Sequence, residues 1–282
     1  MEILITHKHD AMQIKPRLLH ETAEIALTEI KRFLEPRLTE TLSLRRVTAP
    51  MYLPTDSPLL DRRFPGAVIR LKGADQTVEI VGSLDVWLRG QLARYDIAPG
   101  FGVYTIMNAL RPDLPENSTS APHIAAWAWQ QAVDTVDGGE KLLATYARKL
   151  HHLLVDTEKM VVNLFPHMHP TLGKELKIIH ETQLAEMYPE QTPERSLYRH
   201  MHPGKHQSDE TDSPAPIFLL IRDPRPLLAL GEIWTWNRIL GKPVCIADIA
   251  SWPADRIAGP SVGGNIYRGT LALQILQQDK ML

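Results

Sequence analysis

The sequence lacks most of what marks a specialised environment. It holds one cysteine, Cys245, among 282 residues. That excludes an internal disulfide framework and a CxxC zinc site, and suits a reducing cytoplasm. No apolar run approaches the ~20 residues of a membrane span. The opening MEILITHKHD has no basic stretch followed by a long apolar one, so no signal peptide is expected. Lys+Arg number 31 and Asp+Glu 33, a net charge of −2. Without a basic excess the chain does not read as a general nucleic-acid binder, which leaves room only for a local basic groove. What remains is ordinary globular composition, 44% hydrophobic and 23% charged. The length suits one large domain or two small ones; we read 1–282 as a single domain.

Periodicity predicts an amphipathic helix over 16–35, with Leu19, Ala23, Ala26, Leu27, Ile30 and Leu34 on one stripe. A short strand ending at Ala49-Pro50 follows. Two strands, 66–71 and 77–82, flank a turn containing Gly73 and Asp75, and 84–96 suits a helix. Segments 101–111 and 122–131 read as a strand pair joined by the polar, Pro-containing stretch from Pro112 to Ala121. A long helix is expected over 138–165, carrying Leu143, Tyr146, Ala147, Leu150, Leu153, Leu154 and Val161 on its core side. A strand at 176–180 and a helix at 181–188 precede 189–215, whose Pro, Ser and Thr content predicts an exposed loop. Strands at 217–221, 231–237 and 243–247 and a final helix over 266–280, led by Gly263-Gly264, complete the chain. The mixture lacks steady βαβ alternation, so the expected class is α+β, with an antiparallel sheet flanked by helices.

Few constellations point to chemistry on their own. His167 with His169, and His200 with His202 and His206, have spacings that could share a metal. No carboxylate or cysteine completes either set, so solvated loop histidines are the expectation. Cys245 sits in an apolar stretch and reads as an inert buried thiol. In Ala125-Ala-Trp-Ala-Trp-Gln130, strand alternation puts Trp127 and Trp129 on one side and Ala126 and Ala128 on the other. The strip of small residues admits either a ligand or the close approach of another element. Arg111 ends a strand, and Arg268 begins a helix after Gly263 and Gly264. Either fork could hold a phosphate, and the glycines would let backbone N–H groups approach an anion.

Three blocks carry a family resemblance. Gly-Ser-Leu-Asp-Val-Trp-Leu-Arg (82–89), Gly102-Val-Tyr-Thr-Ile-Met-Asn-Ala-Leu-Arg111-Pro-Asp113 and Ala125-Ala-Trp-Ala-Trp-Gln130 stand in order. They resemble the H-S-L-x-K-W-K-R, G-L-Y-T-x-M-x-A-L-R-P-D and D-Q-W-D-W-E of bacterial asparagine synthetase A, the ammonia-dependent aspartate–ammonia ligase. Gly-Glu-Ile-Trp-Thr-Trp-Asn (231–237) is similar to that family's G-D-I-L-V-W-N, and 262–271 to its G-G-G-I-G-x-S-R. The resemblance implies the class II aminoacyl-tRNA synthetase catalytic fold, a homodimer with 16–35 and the strand ending at Pro50 at its interface, and a cytoplasmic enzyme. It also implies use of ATP and Mg²⁺ to adenylate a small carboxylic acid, whose acyl group passes to ammonia or another amine. Arg111 would contact the α-phosphate and Arg268 the γ-phosphate, with Gly263 and Gly264 beside the nucleotide. Glu232 would take the place of a metal-binding Asp. Asp61 and Ser83 would lie near the substrate, with Ala126 and Ala128 where the family has Gln and Asp.

The departures cluster in the implied pocket. Gly82 replaces the histidine, Val86 and Leu88 replace the lysines, and Ala126 and Ala128 replace Gln and Asp. The family's E-L-S-S-M-G-I-R is matched by Cys245-Ile-Ala-Asp248-Ile-Ala-Ser-Trp252, which replaces a metal-ligand Glu by Cys245. Its segment rich in His, Asp and Arg is largely missing, with Asp223 the one remnant. The chain thus resembles a shortened, divergent member, and three readings follow. The first is an ATP-dependent ligase for a less polar acid than aspartate, with the two alanines and Leu88 facing its cavity. The second is a non-catalytic paralogue acting as a binding or regulatory subunit. The third is an authentic aspartate–ammonia ligase with a rearranged pocket.

Overall fold

A computed structural model describes residues 20–72, 76–114, 122–134, 139–189, 191–201, 214–222, 229–238 and 240–276. Eight strands form the main sheet in the order β1 (Leu44–Arg46), β5 (Gly102–Leu110), β6 (His123–Ala132), β11 (Ser261–Tyr267), β10 (Lys242–Trp252), β9 (Ala229–Asn237), β8 (Ala215–Ile221) and β7 (Leu172–His180). The pairs from β5 through to β8 are antiparallel, and each edge adds a parallel pair, β1 with β5 and β7 with β8. A small antiparallel sheet has the order β2 (Tyr52–Pro54), β4 (Gln76–Ile80), β3 (Ala67–Leu71).

Register explains what each face carries. Ile106, Trp127, Ile266, Ala247, Ile233 and Leu219 form one row across five pairings. Residues directly opposite one another share a face, so this row is apolar throughout. It is covered by α1 (His20–Thr41), α3 (Gly139–Leu164) and α6 (Arg268–Leu276) in one large cluster. Helix α1 continues beyond the expected end at 35. Its stripe of Ala26, Ile30, Leu34, Leu38 and Leu42 is buried throughout, and Pro36 faces solvent. Burial of the last two leucines outweighs the hydrogen bond that proline removes.

The neighbouring row lies on the other face: Thr105, Ala128, Asn265, Asp248, Glu232, Leu220 and Ile179. Its two ends are roofed separately. Helix α2 (Asp85–Arg94) packs Leu84, Trp87, Leu88 and Leu92 on Val103, Met107, Ala109, Ala126 and Ala128. At the other end α4 (Glu181–Met187) and α5 (Pro193–Met201) cover Ile179, Phe218, Leu220 and Trp236. The middle of the row is polar and lies between the two roofs.

Several sequence expectations are corrected here. Helix α5 lies inside 189–215, expected as loop; Leu197 and Met201 are buried among Leu184, Phe218 and Trp236, which a polar composition conceals. The strand expected to end at Pro50 ends at Arg46, and β2 follows it. Gly263 and Gly264 lie within β11 rather than leading a helix. The turn at Gly73 and Asp75, and residues His202, His206 and Asp223, lie outside the described residues.

Candidate functional site

The polar middle of the row is built by three elements. Asn265 on β11 faces Asp248 on β10, and Asp85, the first residue of α2, descends over both. The Asn265 Nδ2 donates to Asp248 Oδ1 at 3.0 Å and reaches Asp85 Oδ1 at 3.5 Å. The Tyr267 hydroxyl donates to the Asp248 carboxylate. Arg63 sets its fork on Asp61, with Nε and Nη2 at 2.9 and 2.6 Å, and touches Asp85 Oδ2 only at 3.4 Å. Its guanidinium stacks over the Trp252 ring at 4.2 Å. Ser83 Oγ accepts the backbone N–H of Asp85 at 3.2 Å.

Burial dominates the electrostatics. It pushes the Asp85 carboxyl up to about 7, helped by the charges of Asp248 and Asp61 and opposed by Arg63 and Asn265. Asp248 is also raised by burial, while the bonds from Tyr267 and Asn265 pull it down. Two carboxylates that share one amide donor resist ionising together. Further along the row, Arg222 contacts Glu232 Oε2 at 2.9 Å and Glu181 Oε1 at 2.8 Å, and Trp234 Nε1 donates to Glu232 Oε2 at 3.0 Å.

The site residues expected from sequence divide between the faces. Asp61 and Ser83 do converge, on Arg63 and Asp85. Arg111 continues the alternation of Val103, Met107 and Ala109 onto the same face. It lies 4.5 Å over the Phe64 ring and forks onto Asp113 at 2.9 and 2.8 Å. Arg268 lies on the opposite face. Its Nη2 donates to Asn108 Oδ1 at 2.8 Å, and it feels the charge of Glu35 on α1, which also accepts from Trp127 Nε1. The cause is visible in the pattern G-G-G-I-G-x-S-R. With Val262-Gly263-Gly264 under its three glycines, Gly269 and not Arg268 falls under the arginine. Both residues lie in the first turn of α6, where one residue of slip turns a side chain by about 100° around the helix axis.

Gly263 and Gly264 serve packing within the sheet. A methyl at Gly263 would strike the buried Gln130 amide, and one at Gly264 would strike the Asp248 carbonyl oxygen. Ala126 and Ala128 are fully buried under Leu88 and its neighbours, so they and Leu88 present no cavity to an acid. That removes the ground for expecting a less polar acid. Glu232 is held by Arg222, and burial keeps the Cys245 thiol well above its ordinary pKa, with Sγ turned to the Ala247 carbonyl at 3.3 Å. Mg²⁺ requires oxygen ligands free to bind it. An arginine-paired carboxylate beside a protonated thiol does not fit that ion. Among the described residues no three His, Cys, Asp or Glu side chains gather to hold a metal. His200 packs edge-on to Phe218 at 5.3 Å and burial lowers its pKa.

Sequence reasoning missed Asp85, Asp248, Asn265 and Tyr267 as site residues. Asp248 stands under the second serine of E-L-S-S-M-G-I-R, and Asp85 under the variable position of H-S-L-x. The usable signal was alternation: Asn265 and Tyr267 share the face of Gly263, and Asp248 pairs with Asn265.

A sheet of this order, with α1, α3 and α6 on one face and a polar cluster on the other, has the catalytic fold of the class II aminoacyl-tRNA synthetases. The asparaginyl-tRNA synthetase of Entamoeba histolytica matches 92% of this chain and 65% of its own, at TM-score 0.63 and 10% identity. The prolyl-tRNA synthetase of Giardia lamblia matches 90% and 47%, at 0.57 and 8%. The sequence names a family: the aspartate–ammonia ligase family model matches residues 21–202, and the chain belongs to that family. The aspartate–ammonia ligases of Bacteroides fragilis and Ruminiclostridium cellulolyticum are 32% and 33% identical to it over 184 residues, 64% of this chain. Those residues are 53% and 54% of the relatives, so the chain spans about half the length of the curated relatives it matches. Strands β8 to β11, which carry Glu232, Asp248 and Asn265, lie beyond the 21–202 match.

Proposed function

We propose that the protein is an ATP-dependent, AMP-forming ligase, carried on a single domain. It would activate a small carboxylic acid and pass the acyl group to ammonia or another amine. The observation that carries this reading is the shared face of Arg111 and the Asp61–Asp85–Asp248 cluster. Family membership supports it, and so does the fold: the matched Entamoeba and Giardia enzymes are complexes with asparaginyl-adenylate and prolyl-adenylate. In the proposed reaction the carboxylate oxygen attacks the α-phosphorus of ATP and pyrophosphate leaves. The amine nitrogen then attacks the acyl carbon and AMP leaves. Arg111 can exchange its exposed Asp113 partner for a phosphate, because a guanidinium keeps its charge and its fork in either contact. No step is assigned to Arg268 or Glu232, and no chain-bound Mg²⁺ is part of this reading. The test is release of pyrophosphate from ATP across a panel of carboxylic acids, with and without ammonium. Acid-dependent release is expected, and its absence for every acid would defeat the reading.

One set of observations favours a non-catalytic paralogue acting as a binding or regulatory subunit: Arg268 turned away, Glu232 tied to Arg222, and a thiol at Cys245. Nucleotide binding without pyrophosphate release would be its signature. An authentic aspartate–ammonia ligase draws less support, because Leu88, Ala126 and Ala128 fill with carbon the places of a lysine, a Gln and an Asp. We further propose a homodimer and a cytoplasmic location. Sedimentation at micromolar concentration tests the first. No helix among the described residues is long and apolar enough to cross a membrane.

A further inference from the structure

We infer that Phe64 is a positioning residue for Arg111: its ring holds the guanidinium plane so that the fork can take up a phosphate. This rests on the ligase reading, since only there does Arg111 meet ATP. Three observations carry it. The first is how Arg111 is held. Its side chain is 13% exposed, and among the described residues it has two contacts, the fork onto Asp113 and the Phe64 ring at 4.5 Å. Asp113 is 49% exposed, a partner that water or another anion can replace. The ring is the contact that stays. A guanidinium stacks through its flat face and donates through its edge, so a ring and an oxyanion use different parts of the same group. The Asp113 carboxylate on that edge offers two oxygens, as a phosphate would. Exchanging one for the other leaves the contact with the ring undisturbed.

The second observation is how Phe64 itself is held. The segment 61–66 is neither helix nor strand, yet buried carboxylates pin it at both ends. Asp61 Oδ1 accepts the backbone N–H of Arg63 at 3.1 Å, and the Asp61 carbonyl accepts that of Phe64 at 3.0 Å. Glu79 Oε1 accepts the N–H of Gly66 at 2.8 Å. Arg63 also lies over the Phe64 ring, at 5.0 Å, but it is fixed independently by its fork on Asp61 and its place over Trp252. A side chain whose own backbone is tied on both sides is a rigid support.

The third observation is Gly82, which stands where the resembling family has a histidine. A Cβ at Gly82 would strike the Phe64 carbonyl oxygen and the Pro65 carbonyl carbon. Both are backbone atoms and cannot turn aside. Any side chain at 82 and this course of the 61–66 segment therefore exclude each other. The substitution at 82 gives up an imidazole and admits the segment that brings a ring to Arg111.

The experiment is calorimetric titration of ATP into the full chain, for the wild type, Phe64→Leu, Phe64→Met, Phe64→Tyr, Arg111→Ala and the double variant Phe64→Leu/Arg111→Ala. Phe64→Leu and Phe64→Met keep an apolar side chain without a ring. Each should weaken ATP binding about fivefold or more, as for the loss of one cation–π contact. Phe64→Tyr keeps the ring and should stay within about twofold of wild type. With Arg111 already Ala, Phe64→Leu should add less than about twofold, because the ring then has no guanidinium to hold. In pyrophosphate release, with the acid that gives the fastest rate, the KM for ATP should rise by the factor seen in binding. The kcat and the KM for the acid should move less than about twofold. Circular dichroism identifies the folded variants, and either ringless variant suffices. Equal weakening by Phe64→Leu in both Arg111 backgrounds, a loss in Phe64→Tyr as large as in Phe64→Leu, or an acid KM displaced as far as that for ATP would each overturn the inference and leave Phe64 as packing. ATP binding that no Phe64 variant changes would overturn it too, with the ligase reading still standing. A wild type that binds no ATP would defeat that reading and the inference together.

Discussion

Arg111 and Arg268 stand on opposite faces of the eight-stranded sheet, Arg111 over Phe64 on the side of the polar cluster and Arg268 against Asn108 on the α1 side. They therefore cannot clamp one nucleotide between them in this arrangement. Arg111→Ala should weaken ATP binding by about 1.5–3 kcal/mol, the range for a lost charge-assisted contact. Arg268→Ala should leave ATP affinity within about twofold of wild type, a few tenths of a kcal/mol. Calorimetric titration of both variants decides the matter, and an equal loss in the two would show that Arg268 reaches the nucleotide.

A second arginine is structural. Arg89 is 1% exposed and ties α2 to the segment between β10 and β11. Its Nε donates to Ser261 Oγ at 3.1 Å, its Nη1 to Asp255 at 2.6 Å, and its Nη2 to the Pro253 carbonyl at 3.1 Å. Arg89→Ala strands the buried Ser261 hydroxyl and the loop carbonyls, while the half-exposed Asp255 returns to water, and should cost about 2 kcal/mol. Arg89→Lys should recover only part of it, because one ammonium cannot span the same fork. Urea denaturation midpoints give the comparison.

The glycines of the last motif separate by what surrounds them. Gly264→Ala drives a methyl into the Asp248 carbonyl, which is backbone and cannot turn aside. The pairing of β10 with β11 would have to open, at roughly 3 kcal/mol or beyond. Gly269 is exposed in α6, with nothing near its missing Cβ. Gly269→Ala should stabilise by about 0.5–1 kcal/mol through helix propensity. Opposite shifts in melting temperature are the expected pair.

What was legible in the chain follows from period. The stripe of α3 and the alternation of β5 and β6 are long and strongly patterned, and the structure follows both closely. Helix α5 was hidden because two buried residues, Leu197 and Met201, hold down an otherwise polar segment. The polar cluster was hidden for a different reason. Asn265 and Asp85 meet across 180 residues, and no local pattern announces that meeting. Losses such as Cys245 and Ala128 fall on positions where the family motifs carry an acid, whereas the carboxylates at Asp85 and Asp248 stand where those motifs carry none.

The buried acidic pair gives the fold a pH dependence whose sign is fixed. Asp85 is raised from 3.8 to about 7 in the folded protein, with Asp248 displaced in the same direction. Between those limits the native state holds a proton that the unfolded chain has lost. The contribution of this pair to stability therefore falls as pH rises from about 4 to about 7 and levels off above it, while the buried His151 and His200, whose pKa values are lowered, contribute with the opposite sign. The groups facing Asp85 are Asp61, Asp248, Arg63 and Asn265. Of these, Arg63 and Asn265 favour the ionised form but do not offset burial and the two neighbouring charges. Asp85→Asn removes the ionisation and retains the shape. It should raise the stability at pH 8 by at least about 1 kcal/mol, one pKa unit being worth 1.36 kcal/mol, with little gain at pH 4. Denaturant titrations of wild type and variant at pH 4.5, 6 and 8 check the slope. A variant with the same pH dependence as the wild type would show that Asp85 ionises normally and that its surroundings are better solvated than its contacts indicate.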